Sequence, residues 1–116
     1  MTHGEIWLID FGIPVGSLPA KMRPAVVMQN DLLGIKHLNT VVVIPFTSNL
    51  VSSEHEPNIF FKKEETGLSK DSVAVIHLIG AANKFCFERK ISKLSEENYQ
   101  KLIDAVVKLI TNKSST

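Results

Sequence analysis

The run KMRPAVVMQND (Lys21–Asp31) decides how the chain is read. Its centre, PAVVM, has the length and apolarity of a short buried strand, and an arginine and a proline stand at its mouth. The residue before a proline is pushed toward extended backbone, and proline has no N–H to give to a ladder. Arg23-Pro24 is therefore expected where a loop turns into a strand. A guanidinium held at that seam is either an ordinary solvated charge or one aimed at an anion, and the stretch alone leaves both readings open.

Working outward, other short runs share this strand character. EIWLIDF (Glu5–Phe11) alternates and carries aromatics, and TVVVIPFT (Thr40–Thr47) is valine-rich, with Pro45 pointing to an edge or a bulge. NIFFKK (Asn58–Lys63), SVAVIHLI (Ser72–Ile79) and the weaker FCFERKI (Phe85–Ile91) follow. The segments between them, such as GIPVGSLPAKM and EETGLSKD, are rich in turn residues. Near the C-terminus the period changes. Tyr99, Leu102, Ile103, Val106, Val107 and Ile110 recur at the three-and-four spacing of one helix face. Ser95 is placed as its N-cap, and Glu96 and Glu97 fall in the first turn, where the helix dipole favours them. Short strands closed by one helix predict a mainly β fold: a small, strongly bent sheet or barrel with a C-terminal helix.

At 116 residues the chain is expected to form a single domain over 1–116, with 111–116 as a frayed polar tail. Forty-four per cent apolar and 22% charged residues give the balance of an ordinary globular protein. No apolar run reaches the length of a membrane span, so no membrane partner is expected, and no signal peptide is visible. One cysteine, Cys86, excludes an internal disulfide and a four-cysteine zinc site. It reads as an inert small side chain, and a reduced, cytoplasmic setting is the default. The net charge of +1 means that any electrostatic footprint must be local.

A guanidinium can hold two phosphate oxygens at once and stays charged at any working pH. The counterpart to Arg23 is IPFTSN (Ile44–Asn49), a strand ending in three small polar residues. If the two strands are antiparallel neighbours, Arg23 and Thr47 meet at one rim of the sheet. Simple turn chemistry accounts for TSN equally well. His3, His37 and His55 read as solvated. EHE (Glu54–Glu56) is a poor metal cluster, because adjacent extended residues point opposite ways. His77 interrupts a strand-like run and is either a satisfied core residue or an acid–base group. No phosphate-binding glycine loop, dinucleotide fingerprint or nucleophile elbow occurs.

In order, GEIWLIDFG, VGS, RPAVVMQND, VVVIPFTSN, LSKDSVAV and a terminal helix resemble the MazF/PemK toxin family over about Gly4 to Ile110. The resemblance implies an SH3-like β-barrel with a C-terminal helix, acting as a homodimer. It further implies a metal-independent endoribonuclease that cuts single-stranded RNA and is neutralised by a cognate antitoxin. No cofactor is implied. By position, Arg23 matches the family's catalytic arginine and would grip the scissile phosphate. Thr47 would position the attacking 2′-hydroxyl, and the products would be a 2′,3′-cyclic phosphate and a 5′-hydroxyl.

Two places depart from the family's pattern. Leu18 and Pro19 stand where many relatives carry polar residues, and His77-Leu78 replace an acid and a glutamine. His77 is therefore a candidate substitute for the acidic group. Lys21 is a candidate phosphate contact, and Ser17, Ser48 and Asn49 are candidate hydrogen-bond donors to RNA. Two other readings stand beside this one. The first is a non-catalytic toxin of the same fold that binds a protein such as gyrase through its helix. The second is a stand-alone RNA-binding module, which would require exposed aromatics on the sheet face.

Overall fold

A computed structural model describes residues 1–13, 16, 21–30 and 37–111. Among these, seven strands and two helices follow in the order β1 (Glu5–Asp10), β2 (Met22–Val27), β3 (Thr40–Thr47), β4 (Ile59–Phe61), α1 (Lys63–Thr66), β5 (Ser72–Ala74), β6 (Gly80–Asn83), β7 (Phe87–Lys93) and α2 (Glu96–Thr111). The strands run antiparallel in the order β4-β5-β3-β2-β1-β7, with β6 also paired to β3.

β3 is the hub. Its first half pairs with β6, from Thr40 opposite Asn83 to Val43 opposite Gly80. Its middle pairs with β2, where Val43, Ile44 and Pro45 face Val27, Val26 and Ala25. Its end passes to β5, with Phe46 opposite Ala74 and Thr47 opposite Val73. An unbroken apolar run is what a strand covered on both faces requires, and β2 and β3 are such strands. Val26, Ile44 and Phe46 join Leu102 and Ala105 of α2 in one core. Ala25, Val27, Val41 and Val43 form a second core on the opposite face, closed by Trp7, Phe11 and Phe87.

The end of α1, which follows the outer strand β4, is brought against the other outer strand, β7, without a ladder between them. Gly67, just past α1, has φ +74°, and a Cβ there would lie 2.9 Å from Cβ of Ser92 on β7. The Ser92 hydroxyl donates to the carbonyl of Thr66. This contact bends the sheet toward closure, the barrel-like form expected from the sequence.

Strand β1 carries a structural carboxylate. Glu5 and Trp7 project from the same face at two-residue spacing, and the indole Nε1 donates to Glu5 Oε1 at 2.9 Å. The Thr2 hydroxyl donates to Oε2 at 2.9 Å, and Lys90 Nζ lies 3.4 Å away. Burial works to raise the Glu5 pKa. The hydrogen bonds from Trp7 and Thr2, with the Lys90 charge, outweigh it and hold the group at about 2 against an ordinary 4.5.

Several expectations shift in detail. β2 begins at Met22, so Arg23 and Pro24 lie inside the strand rather than at its mouth. The run Ser72–Ile79 is not one strand. β5 stops at Ala74, a 3₁₀ turn spans Ile76–Leu78, and the short strand β6, missed in the sequence, follows. Cys86 ends a second such turn, Lys84–Cys86, and packs against the second core. The helix forms where expected, with Tyr99 and Leu102 of the expected face buried but Val107 and Ile110 exposed, and its cap is present: the Asn98 N–H donates to Ser95 Oγ at 3.1 Å. Thr111 is still helical, one residue into the stretch expected to fray. Among the described residues, no helix is long and apolar enough to cross a membrane.

Candidate active site

One proline opens the site. Ala25 faces Pro45, and extending that register by two residues sets Arg23 across from Thr47. The ladder does not continue there. Beyond Ala25 the start of β2 pairs only with β1, where Pro24 faces Leu8 and Arg23 faces Ile9. Past Pro45, β3 turns to β5 instead, and the Pro45 carbonyl accepts from the Val75 N–H at 2.9 Å. Pro24 has no N–H to hold the two strands together at this point. They splay, and a cleft of about 540 Å³ opens between them with Arg23, Thr47 and Ser48 on its walls.

The opposite wall is the loop after α1, carrying Ser69, Lys70 and Ser72, and Arg89 of β7 completes the lining. Leu8, Phe46, Leu68 and Ile91 supply its apolar surface. Local bonds set these groups. Ser72 Oγ donates to the Lys70 carbonyl at 3.0 Å, bracing the loop from beneath. Asp71 is engaged elsewhere, accepting the Lys63 N–H of α1 at 2.9 Å. On the first wall, Thr47 Oγ1 accepts the Asn49 N–H at 3.1 Å. Asn49 Oδ1 in turn accepts the Val51 N–H at 3.2 Å and caps the 3₁₀ turn Leu50–Glu54. The turn chemistry and the site placement of TSN are thus both present. The Thr47 oxygen is fixed by its acceptor role, which leaves its O–H as a donor.

Among the described residues, Arg23, Lys70 and Arg89 line the cleft and no Asp, Glu or His does. In a chain with 13 basic and 12 acidic side chains, this is a concentrated positive surface. It contains no group that titrates near neutrality. It therefore suits binding and stabilising negative charge on a phosphodiester better than general acid–base exchange. It also lacks the carboxylates, imidazoles and thiolates that hold metal ions.

The structure brings Arg23, Thr47 and Ser48 together, and Asn49 stands beside them as the turn's cap. It does not bring His77 to the cleft. That residue is exposed on the turn Ile76–Leu78, which carries Ile76 into the core beneath α2. Lys21 is exposed just outside the cleft in a left-handed conformation, φ +57°. Its N–H donates to the Gly12 carbonyl at 2.7 Å, closing the loop between β1 and β2. Ser17, Leu18 and Pro19 lie outside the described residues. His3, read as solvated, instead contacts Glu96 at 3.1 Å and the Tyr99 ring at 4.9 Å. Glu56 of EHE pairs with Lys108 at 3.1 Å. Lys70 and Arg89 were missed in the sequence. Register sets Arg89 opposite Leu8, another residue of the cleft lining, and the loop before β5 carries Lys70 to the same opening.

A bent antiparallel sheet backed by a C-terminal helix, with a cationic cleft beside its central strands, defines a small nucleic-acid-directed β fold. A model of the "PemK-like, MazF-like toxin of type II toxin-antitoxin system" family matches residues 2–110, and the chain belongs to that family. Endoribonuclease MazF6 of Mycobacterium tuberculosis is 37% identical over 84 residues, covering 72% of this chain and 74% of the relative. In fold, the chain is similar to the crystal structure of MazF from Deinococcus radiodurans, with a TM-score of 0.76 at 12% identity, covering 95% of this chain and 96% of that one. It is also similar to an endoribonuclease in complex with its cognate antitoxin from a mycobacterial species, with a TM-score of 0.68 at 14% identity, covering 92% and 91%.

Proposed function

We propose that this protein is an RNA-cleaving toxin that cuts single-stranded RNA at a phosphodiester seated between Arg23 and Thr47. The observation that carries the reading is the meeting of these two side chains on one cation-lined cleft. The 2′-hydroxyl attacks phosphorus, the bond to the 5′-oxygen breaks, and a 2′,3′-cyclic phosphate and a 5′-hydroxyl result. Arg23 stabilises the charge that builds on the phosphoryl oxygens in the transition state. Thr47 donates its O–H and holds the attacking sugar in line, a positioning role that suits a hydroxyl too weakly basic to take a proton. With no imidazole or carboxylate on the cleft among the described residues, the 2′-proton passes to solvent and the leaving oxygen is protonated from solvent. His77 takes no part, and no metal is required.

The named relatives support the assignment, and the antitoxin-bound structure supports neutralisation by a cognate antitoxin. A homodimer belongs to the same reading. Helix α2 leaves Val107 and Ile110 43% and 74% exposed, an apolar surface that a second copy would cover.

The test is incubation of purified protein with mixed RNA in EDTA, followed by mapping of the cut ends. Cyclic-phosphate and 5′-hydroxyl ends are expected, and Arg23→Ala should abolish them. Intact RNA, or cleavage that Arg23→Ala retains, would refute the reading. Log rate should climb steadily from pH 5 to 8 with no bell, and His77→Ala should leave that profile unchanged.

A further inference from the structure

We infer that Arg89, seconded by Lys70, holds a phosphate flanking the scissile one and so fixes the path of the RNA across the cleft. This rests on the nuclease reading for the identity of the scissile linkage, but it is argued from different residues.

Three adjacent antiparallel strands set the spacing. Leu8 of β1 faces Pro24 of β2 on one side and Arg89 of β7 on the other. Arg89 therefore starts two strand spacings from β2, about 10 Å at the backbone. Its charge and that of Arg23 repel, so the two guanidinium groups spread along a polyanion rather than crowd onto one phosphate. Lys70 approaches from the opposite wall. Asp71, beside it in sequence, accepts the first N–H of α1 at 2.9 Å and does not line the cleft.

Arg89 also differs from the basic residue beside it. Lys90 pairs with Glu5 at 3.4 Å and serves the fold, whereas Arg89 lines the cleft. A charge on an outer strand is commonly a guard against edge-to-edge pairing. That role needs no second and third cation gathered on one cleft without a carboxylate.

The test measures binding of a single-stranded oligonucleotide of about seven residues, with a 2′-deoxy sugar at the cleavage position, across a salt series. Arg89→Ala should weaken it about tenfold at low salt. It should also reduce the slope of log affinity against log salt by about 0.7, the loss of one counterion-releasing contact. Arg89→Gln should do the same while keeping the side-chain stem, and Arg89→Lys should restore most of the slope. Binding of a dinucleotide with one phosphodiester, which has no flanking phosphate, should keep its salt slope in Arg89→Ala.

An unchanged salt slope in both neutral variants, or an equal loss on the dinucleotide, would overturn the inference. If the parent protein leaves mixed RNA intact yet the slopes fall as expected, the flanking contact stands and the nuclease reading fails.

Discussion

The two ends of the β2–β3 ladder are built from opposite materials. At one end the pairing stops beyond Ala25 and Pro45, where Pro24 has no N–H to offer, the strands splay, and Arg23, Thr47, Lys70 and Arg89 line the opening. At the other end the bonding is carried further. The Met28 N–H donates to the Val42 carbonyl at 2.9 Å, and the Val42 N–H donates to the Gln29 side chain at 3.2 Å. A second groove, of about 480 Å³, opens there against α2, lined largely by Met28, Leu38, Ile79, Ile103, Val106 and Val107. One pair of strands thus presents a charged surface fit for a polyanion and an apolar surface fit for protein. The lesson is that a net charge of +1 conceals a strongly polarised molecule.

If that division is real, substitutions at the two ends should fail in different assays. The largest effect is expected at Arg23. Arg23→Ala should lower kcat by about a thousandfold, the scale for losing a transition-state donor. Thr47→Ala should cost about a hundredfold in single-turnover rate, and Thr47→Ser should recover most of it. Next comes the core beneath the apolar end. Leu102 is fully buried, so Leu102→Ala should destabilise by about 3 kcal/mol in denaturant unfolding. Rates per folded molecule should stay near normal.

Glu5 lines neither groove and should touch only stability. Its folded pKa of about 2 is below the ordinary 4.5. Its contribution is therefore complete above about pH 4.5 and is lost as pH falls toward 2. A shift of this size corresponds to about 3 kcal/mol at most, and Glu5→Gln should flatten the acid limb of the stability profile by a comparable amount. The smallest effect is expected at the exposed rim of α2. Val107→Asp should change the stability of the isolated chain by less than about 0.5 kcal/mol while shifting sedimentation toward monomer.

Much of the fold was legible because period and punctuation agree. Valine-rich runs gave β2 and β3, and Ser95 with the three-and-four spacing gave α2. What the sequence hid was tertiary. SVAVIHLI reads as one strand because nothing local reveals that β3 takes β5 and β6 as successive partners, with a turn between them. His77 was misread for the same reason. Arg23 and Thr47 were legible only on the condition that β2 and β3 are antiparallel neighbours, which the register satisfies. Lys70 and Arg89 carry no such cue, because their charge acquires meaning only when the sheet curls and brings β5 and β7 to the same opening.

The most direct test is a crystal structure with RNA blocked by a 2′-deoxy sugar at the cleavage position. The account predicts one phosphate within hydrogen-bond distance of both the Arg23 guanidinium and Thr47 Oγ1. An RNA strand seated anywhere else, with these two side chains facing only solvent, would contradict it.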